Sequence, residues 1–326
     1  MISYDSLSFR TWSKLGQRGA FAAVSSFEIV RQVPNSVIVT ADLGFLSGLD
    51  RFKEKFPDRF FNVGIAEQNM VGVSAGLAQE GMTVFATTYA TFVTMRSCEQ
   101  VRHFLGYMRS NVKIVGSGAG LVMGYSGNTH YTFEDIAMMR VIPNIVVLSP
   151  ADAAETVKAT IAAANYSGPV YIRLTGGLNI PMVYKGDYDF EIGKNVLLKP
   201  DGDVAIFATG TVTHNALQAA SELARRGVQA RVVNVHTIKP LDVESVLRES
   251  RQCKLLVSVE EHSRIGGLGG ALAEVLAAHG SHAPLLRLGI SDQYHHAGDH
   301  NYLLGLNGLL PEQIAQSVFG AYSQLD

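Results

Sequence analysis

Short apolar runs and amphipathic segments alternate along most of this chain. The apolar runs predict strands, among them 36–42, 82–88, 111–117 and 169–174, and apolar positions at helical spacing predict helices between them, as in 92–108. Strands that are apolar on both faces and alternate with helices are typical of a parallel sheet that is covered on both sides. The pattern therefore predicts an α/β fold.

The alternation is interrupted once. The stretch 176–202 is rich in Gly, Pro, Asp and Lys, and the alternation resumes beyond it. We therefore expect a first domain at 1–185, a linker at 186–200 and a second, smaller domain at 201–326. Both domains are predicted to be doubly wound, with helices on both faces of their sheets.

Composition narrows the class of protein. The chain has 326 residues, 47% of them hydrophobic, and a net charge of −2, so it lacks the basic field that nucleic-acid binding requires. It has two cysteines, Cys98 and Cys253, and no apolar run that approaches the length of a membrane span. We expect a cytoplasmic protein that binds neither nucleic acid nor membrane.

Two local patterns carry little weight. The sequence GVSAG at 72–76 matches the G-x-S-x-G motif of hydrolases, but Ser74 falls inside a predicted helix rather than on a strand-to-helix turn. A segment near the C-terminus contains metal-ligating residue types, at His295, His296, Asp299 and His300. Composition alone is weak evidence for a metal site, and we predict no metal ligands on this chain.

One acid stands where ligands bind in open α/β sheets. Glu67 follows the predicted strand 59–63 and begins a helix, at the carboxyl end of that strand. An acid in the first turn also stabilises the helix dipole, by about 0.3–1 kcal/mol, so position alone does not decide its role. Tyr89 and Phe92 share a helical face after the next strand, where core packing would also explain them. His130 lies in a polar loop, a more usual place for function than for packing.

Several segments resemble the pyrimidine-binding domain of transketolases: 41–43, 59–78, 85–100, 127–152 and 169–174. Two later segments are similar to the transketolase C-terminal domain: 232–242 and 256–276. The family's diphosphate-binding domain carries a GDG motif followed by Asn, and this sequence contains no GDG. The resemblance therefore implies the C-terminal subunit of a two-subunit, "split" transketolase, with the GDG…N motif on a partner subunit in an α₂β₂ assembly.

The resemblance also implies a reaction and a site. A transketolase uses thiamine diphosphate to move a two-carbon ketol unit from a ketose (phosphate) to an aldose (phosphate), and the Mg²⁺ ligands are expected on the partner subunit. The acid matching Glu67 would hydrogen-bond N1′ of the aminopyrimidine, and His130 would face the reacting end of the donor sugar. Cofactor contacts are expected from Asp42, Leu43, Tyr89, Phe92 and Met95. Substrate contacts are expected from Arg18, Ser47, Ser126 and Arg173, the arginines binding phosphate.

Three positions depart from the family pattern. Ser126 stands where an acid reads the stereochemistry of the donor hydroxyls, Gly118 where a second histidine binds phosphate, and Met95 where a third aromatic ring lies near the pyrimidine. We therefore expect a non-standard ketose donor or acceptor. The alternatives are the β subunit of a 2-oxoacid dehydrogenase E1, a deoxyxylulose-phosphate synthase-like carboligase and a non-catalytic scaffold subunit.

Overall fold

A computed structural model describes residues 2–280 and 282–325, which fold around two sheets. The strands of the first sheet are β1 (Ser36–Thr40), β2 (Phe60–Asn62), β3 (Thr83–Tyr89), β4 (Val112–Ser117), β5 (Val146–Leu148), β6 (Val170–Leu174) and β10 (Thr237–Lys239). They lie in the order β10–β5–β6–β4–β3–β1–β2, and all are parallel except β10. Every residue of β1, β3, β4, β5 and β6 is buried, so the apolar runs correspond to strands that are covered on both sides.

The helices of this part are α1 (Ser6–Ala20), α2 (Ser26–Gln32), α3 (Asp50–Lys55), α4 (Glu67–Gln79), α5 (Cys98–Gln100), α6 (Asp135–Val141) and α7 (Ala153–Asn165). Ser74 is buried inside α4, so the G-x-S-x-G match is not a nucleophile elbow. The predicted helix 92–108 is not regular. It consists of two π-helical stretches, Phe92–Arg96 and Val101–Tyr107, on either side of α5.

The second sheet is smaller. Its strands are β7 (Val196–Lys199), β8 (Val204–Thr209), β9 (Ala230–Asn234), β11 (Leu255–Ser263) and β12 (Leu285–Ile290), in the order β12–β11–β8–β9–β7. Its helices are α8 (Val212–Arg225), α9 (Val243–Gln252), α10 (Leu268–Ala278), α11 (His300–Leu306) and α12 (Pro311–Tyr322). β7 pairs antiparallel with β9, so part of the segment 186–200 that was predicted as a linker belongs to the second sheet. The apolar run of β7 is short and is flanked by Gly, Lys and Pro. Gly and Pro are typical of loops, so the pattern did not predict this strand.

The chain passes from the second sheet to the first at β10. β10 follows the second sheet's β9 in sequence but pairs with β5 of the first sheet, where Thr237 opposes Leu148. Close by, the Ser149 N–H donates to the His236 carbonyl at 2.8 Å. In the described part of the chain, no helix combines the length and the apolar character needed to cross a membrane.

His236 at this junction predicts a pH-dependent stability. Its ring stacks on Phe190 at 4.2 Å, and burial lowers its pKa to about 4 against a weaker opposing effect of Asp242. The folded protein keeps His236 neutral while the unfolded chain takes up a proton below its ordinary pKa of 6.5, so stability falls as pH falls from 6.5 toward 4. We expect this residue to cost about 2 kcal/mol of unfolding free energy between pH 7.5 and pH 5.

Urea unfolding of the wild type and of His236→Gln at both pH values measures this effect. The variant should lose less stability on acidification than the wild type does. His279→Gln, at an exposed position, is the matched control for loss of a histidine. Equal pH dependence in the wild type and His236→Gln would contradict the prediction.

Candidate active site

A cavity of about 420 Å³ opens near the carboxyl ends of β1 and β3. Seven of the residues proposed from the sequence line it: Asp42, Leu43, Glu67, Tyr89, Phe92, Ser126 and His130. Five further lining residues were not proposed as site residues: Ala41, Leu46, Ile65, Met123 and Tyr125. The cavity is where the ends of parallel strands and the following loops meet, as expected for ligand sites in open α/β sheets.

Glu67 is the acid of this cavity. It is the first residue of α4 and only 3% exposed. Its Oε2 accepts a hydrogen bond from Nη1 of Arg96 at 2.8 Å, which forms an ion pair. Within residues 2–280 and 282–325 its Oε1 accepts no hydrogen bond, so this oxygen is available to a ligand.

Three rings stand beside the acid. The centroids of Tyr89 and Phe92 are 5.7 Å apart, and the ring of His130 meets Phe92 edge-on at 5.7 Å. His130 Nδ1 lies 2.9 Å from Thr129 Oγ1, which orients the imidazole. Burial raises the pKa of the Tyr89 phenol, partly offset by the nearby Arg18 guanidinium. The cavity thus combines a buried carboxylate, flat apolar surfaces and one imidazole.

Asp42 lines the cavity and has an unusual backbone conformation. Its φ of 59° lies in the left-handed region, which Asp tolerates better than most residues. The Asp42 N–H donates to Asn62 Oδ1 at 3.0 Å, and Asn62 Nδ2 donates back to Asp42 Oδ1 at 2.8 Å. This reciprocal pair joins the loop after β1 to β2 and keeps the rim in place.

Four of the proposed residues do not line the cavity. Met95 is on the surface, and Ser47 is buried in the turn after β1 while its neighbour Leu46 lines the cavity. Arg18 is half-buried and is not among the lining residues, although its charge partly offsets the raised pKa of the Tyr89 phenol.

Arg173 also lies outside the cavity lining, so its phosphate-binding role stays a prediction. Its side chain is 0% exposed, its Nε donates to Asp135 Oδ2 at 2.7 Å, and its Nη2 donates to the Glu261 carbonyl at 2.8 Å. Nε and Nη2 are thus engaged within the protein, whereas Nη1 is buried without a hydrogen-bond partner among the described residues. Burial alone would raise the pKa of Asp135, but Arg173, His262 and Tyr171 together outweigh it and the pKa is lowered.

Two family models match this architecture in order along the chain. The model described as "Transketolase, pyrimidine binding domain" matches residues 20–179, and "Transketolase, C-terminal domain" matches residues 193–314. A putative transketolase C-terminal section from Methanocaldococcus jannaschii is 41% identical over 293 residues, which cover 89% of this chain and 92% of that protein. The chain belongs to the transketolase family.

Two further relatives of the transketolase family agree. The 6-deoxy-6-sulfo-D-fructose transketolase subunit SqwH of a Clostridium species is 41% identical over 281 residues, covering 86% of this chain and 87% of that protein. A solved structure described as "Split gene transketolase, inactive beta4 tetramer" superposes with a TM-score of 0.85 at 39% identity, covering 94% of this chain and 98% of that chain. These similarities confirm the family and the fold class predicted from the sequence.

Gly118, the position that the resemblance matches to a second phosphate-binding histidine, is tightly packed. Gly118 has a φ of +68°, and a Cβ there would come 2.7 Å from Met123 Cγ and 3.5 Å from Tyr89 Cδ1. The side chain of Met123 therefore occupies the space that a longer residue at 118 would need. Sequence reasoning missed Met123 because only the folded loop brings it back over Gly118.

The structure also brings Arg96 to the site, which sequence reasoning missed. Arg96 ends a π-helical stretch, where it contacts Glu67 while Met95 is exposed. The spacing of four residues between Phe92 and Arg96 agrees with contact on one helical face. No local pattern indicates the ion pair with Glu67, which lies 29 residues away along the chain.

The histidine-rich segment near the C-terminus makes structural contacts. His300 Nε2 lies 2.9 Å from Glu261 Oε1, and Asp299 caps α11. His295 Nε2 lies 3.1 Å from Asn307 Oδ1. Among residues 2–280 and 282–325, no group of three or more His, Cys, Asp or Glu side chains is arranged to hold a metal ion.

Proposed function

We propose that this chain is the C-terminal subunit of a two-subunit transketolase that transfers a two-carbon ketol unit from a ketose to an aldose with thiamine diphosphate. The observation that carries this proposal is the buried carboxylate of Glu67 beside the rings of Tyr89 and Phe92. Family membership supports the same reaction class.

The residues present fit the aminopyrimidine ring of the cofactor. Oε1 of Glu67 is free to share a proton with a ring nitrogen, and Tyr89 and Phe92 offer flat apolar surfaces to the ring. When bound, thiamine diphosphate would supply the nucleophilic carbon and the electron sink for breaking a carbon–carbon bond. His130, oriented through Nδ1 by Thr129, has Nε2 left to hold or move a proton at a sugar hydroxyl.

The rim of the cavity supports a separate partner subunit. Phe45 and Ile65 are 79% and 80% exposed, and Leu46 is half-exposed beside them. Exposed apolar side chains that cluster at one site mark interaction surfaces. A partner that covers this rim would carry the GDG…N motif and bind Mg²⁺ and the diphosphate. An α₂β₂ assembly would contain two such sites.

The lining of the cavity supports the proposal that the donor is a non-standard ketose. Met123, Tyr125 and Ser126 line it, and no Lys or Arg is among the lining residues that the structure describes. Cations are the usual partners of sugar phosphates. We therefore propose that donor recognition by this subunit relies on apolar and hydroxyl contacts rather than on charge.

Mixing the purified chain with a GDG-containing diphosphate-domain protein encoded beside its gene tests the proposal. We expect no turnover from either protein alone, and cofactor-dependent ketol transfer from the mixture, measured as aldose released from a panel of ketoses. Strong activity from this chain alone would contradict the split-subunit proposal. Consumption of pyruvate with glyceraldehyde phosphate would instead indicate a synthase-like carboligase, and oxidative decarboxylation of a 2-oxoacid would indicate an E1 subunit.

A further inference from the structure

Arg96 contacts both groups that would hold the cofactor's ring. Its Nη1 donates to Oε2 of Glu67 at 2.8 Å, and its guanidinium carbon lies 4.4 Å from the centroid of the Phe92 ring. One side chain therefore touches the proton-sharing acid and the aromatic wall at the same time. Neither contact follows from the fold of the sheet, since Arg96 lies in the segment after β3 rather than in a strand.

Two local features hold Arg96 in this place. It ends the π-helical stretch Phe92–Arg96, a kind of turn that occurs frequently at functional sites. The next residue of α4 after Glu67 secures the backbone, because Gln68 Nε2 donates to the Arg96 carbonyl at 3.1 Å. The start of α4 and the end of the π-helical stretch are thus joined twice, once through Gln68 and once through the ion pair.

The ion pair is not an ordinary surface pair. Arg96 is 49% exposed, but Glu67 is only 3% exposed, so the guanidinium covers a carboxylate that water hardly reaches. The bond engages Oε2 alone, and Oε1 of this cavity-lining residue accepts no hydrogen bond from the described residues. An arginine is suited to this arrangement because its planar group can donate to a carboxylate while it lies over an aromatic face.

We propose that Arg96 is a positioning residue of the transketolase site. It holds Glu67 in the rotamer that presents Oε1 to the aminopyrimidine nitrogen, and it keeps the Phe92 ring in contact with the same cofactor ring. This proposal rests on the proposed function, because it assigns the way in which the acid of that site is oriented.

Arg96→Met and Arg96→Lys in the assembled two-subunit enzyme test the proposal. Arg96→Met should lower kcat by about 10- to 100-fold, because a carboxylate that loses its orienting partner is misplaced relative to the reacting group. Arg96→Lys should recover part of the loss, since an ammonium can still reach Oε2 but lacks the flat group over Phe92. Arg102→Met, at an exposed position in the next helical stretch, is the matched control.

A double variant separates positioning from structural support. In the Glu67→Gln background, Arg96→Met should cause little further loss of kcat, because the acid it orients is already gone. Subunit assembly should be close to wild type in all single variants. Arg96→Met should lower the melting temperature, because it leaves the buried Glu67 carboxylate without its countercharge, and the double variant should lower it less. An equal loss of kcat in both backgrounds, or a loss that follows only impaired assembly, would overturn the positioning role.

Cofactor binding, followed by the circular dichroism induced in thiamine diphosphate, separates this proposal from the proposed function. If the wild-type pair binds the cofactor but transfers no ketol unit, the reaction is wrong, and weaker binding by Arg96→Met than by Arg102→Met would still support positioning. If Arg96→Met matches the wild type in both binding and kcat, the positioning proposal is wrong while the reaction stands. If the wild-type pair of subunits binds no thiamine diphosphate, both the positioning proposal and the proposed function are wrong.

Discussion

Replacing Glu67 by Gln should reduce ketol transfer by the assembled enzyme by about 10²- to 10⁴-fold, the usual contribution of a positioned proton-transfer group. The amide is nearly the same shape as the carboxylate, so it fits beside Arg96 and the cavity wall, but it cannot share a proton with the cofactor's ring nitrogen. The two subunits should therefore still assemble. Steady-state kcat with saturating cofactor is the measurement.

A second acid provides the control for this substitution. Glu99 is exposed and lies in α5, close in sequence to the site but outside the cavity lining. Glu99→Gln should leave kcat within about twofold of the wild type, because a surface substitution away from the site removes no interaction with the cofactor. Near-normal turnover by Glu67→Gln would mean that Glu67 serves only to begin α4, the helix-dipole role that its sequence position also allows.

Replacing Arg173 by Met should destabilise the protein by about 3–5 kcal/mol, because it leaves the buried carboxylate of Asp135 without its countercharge. Both side chains are 0% exposed, and Tyr171 also donates its hydroxyl to Asp135 at 2.7 Å. Urea unfolding of the single chain is the measurement. Arg173→Met/Asp135→Asn should lose less stability than the sum of the two single changes, because it removes both charges together.

An exposed ion pair is the matched control for the buried one. Arg225 and Glu222 form an ion pair on the surface of α8. An exposed pair of this kind contributes only about 0–1 kcal/mol to the free energy of unfolding. Arg225→Met should therefore change the free energy of unfolding little. If Arg173→Met left stability unchanged and raised only the KM for phosphorylated sugars, the result would contradict the structural role and support the phosphate-binding role inferred from the sequence.

Arg173 and Arg96 show why sequence patterns identify some site residues and not others. Arg173 lies in a strand that resembles the family's pattern, and this resemblance alone led to its assignment as a substrate-binding residue. Its burial depends on Asp135 and Glu261, which lie 38 and 88 residues away along the chain. Arg96 was missed because its ion pair with Glu67 joins positions 29 residues apart, and no local pattern of the sequence relates the two.

The sequence by itself determined the fold class, because strands covered on both faces form continuous apolar runs and helices place apolar residues at a period of about 3.6. The resemblance carried by its motifs also indicated Glu67, Tyr89, Phe92 and His130, and all four line one cavity. Only the tertiary structure decided which charges are buried against each other, that Met123 fills the space at Gly118, and that Arg96 reaches Glu67. Those outcomes depend on contacts between segments that are far apart in the chain or irregular in conformation, and no local periodicity encodes them.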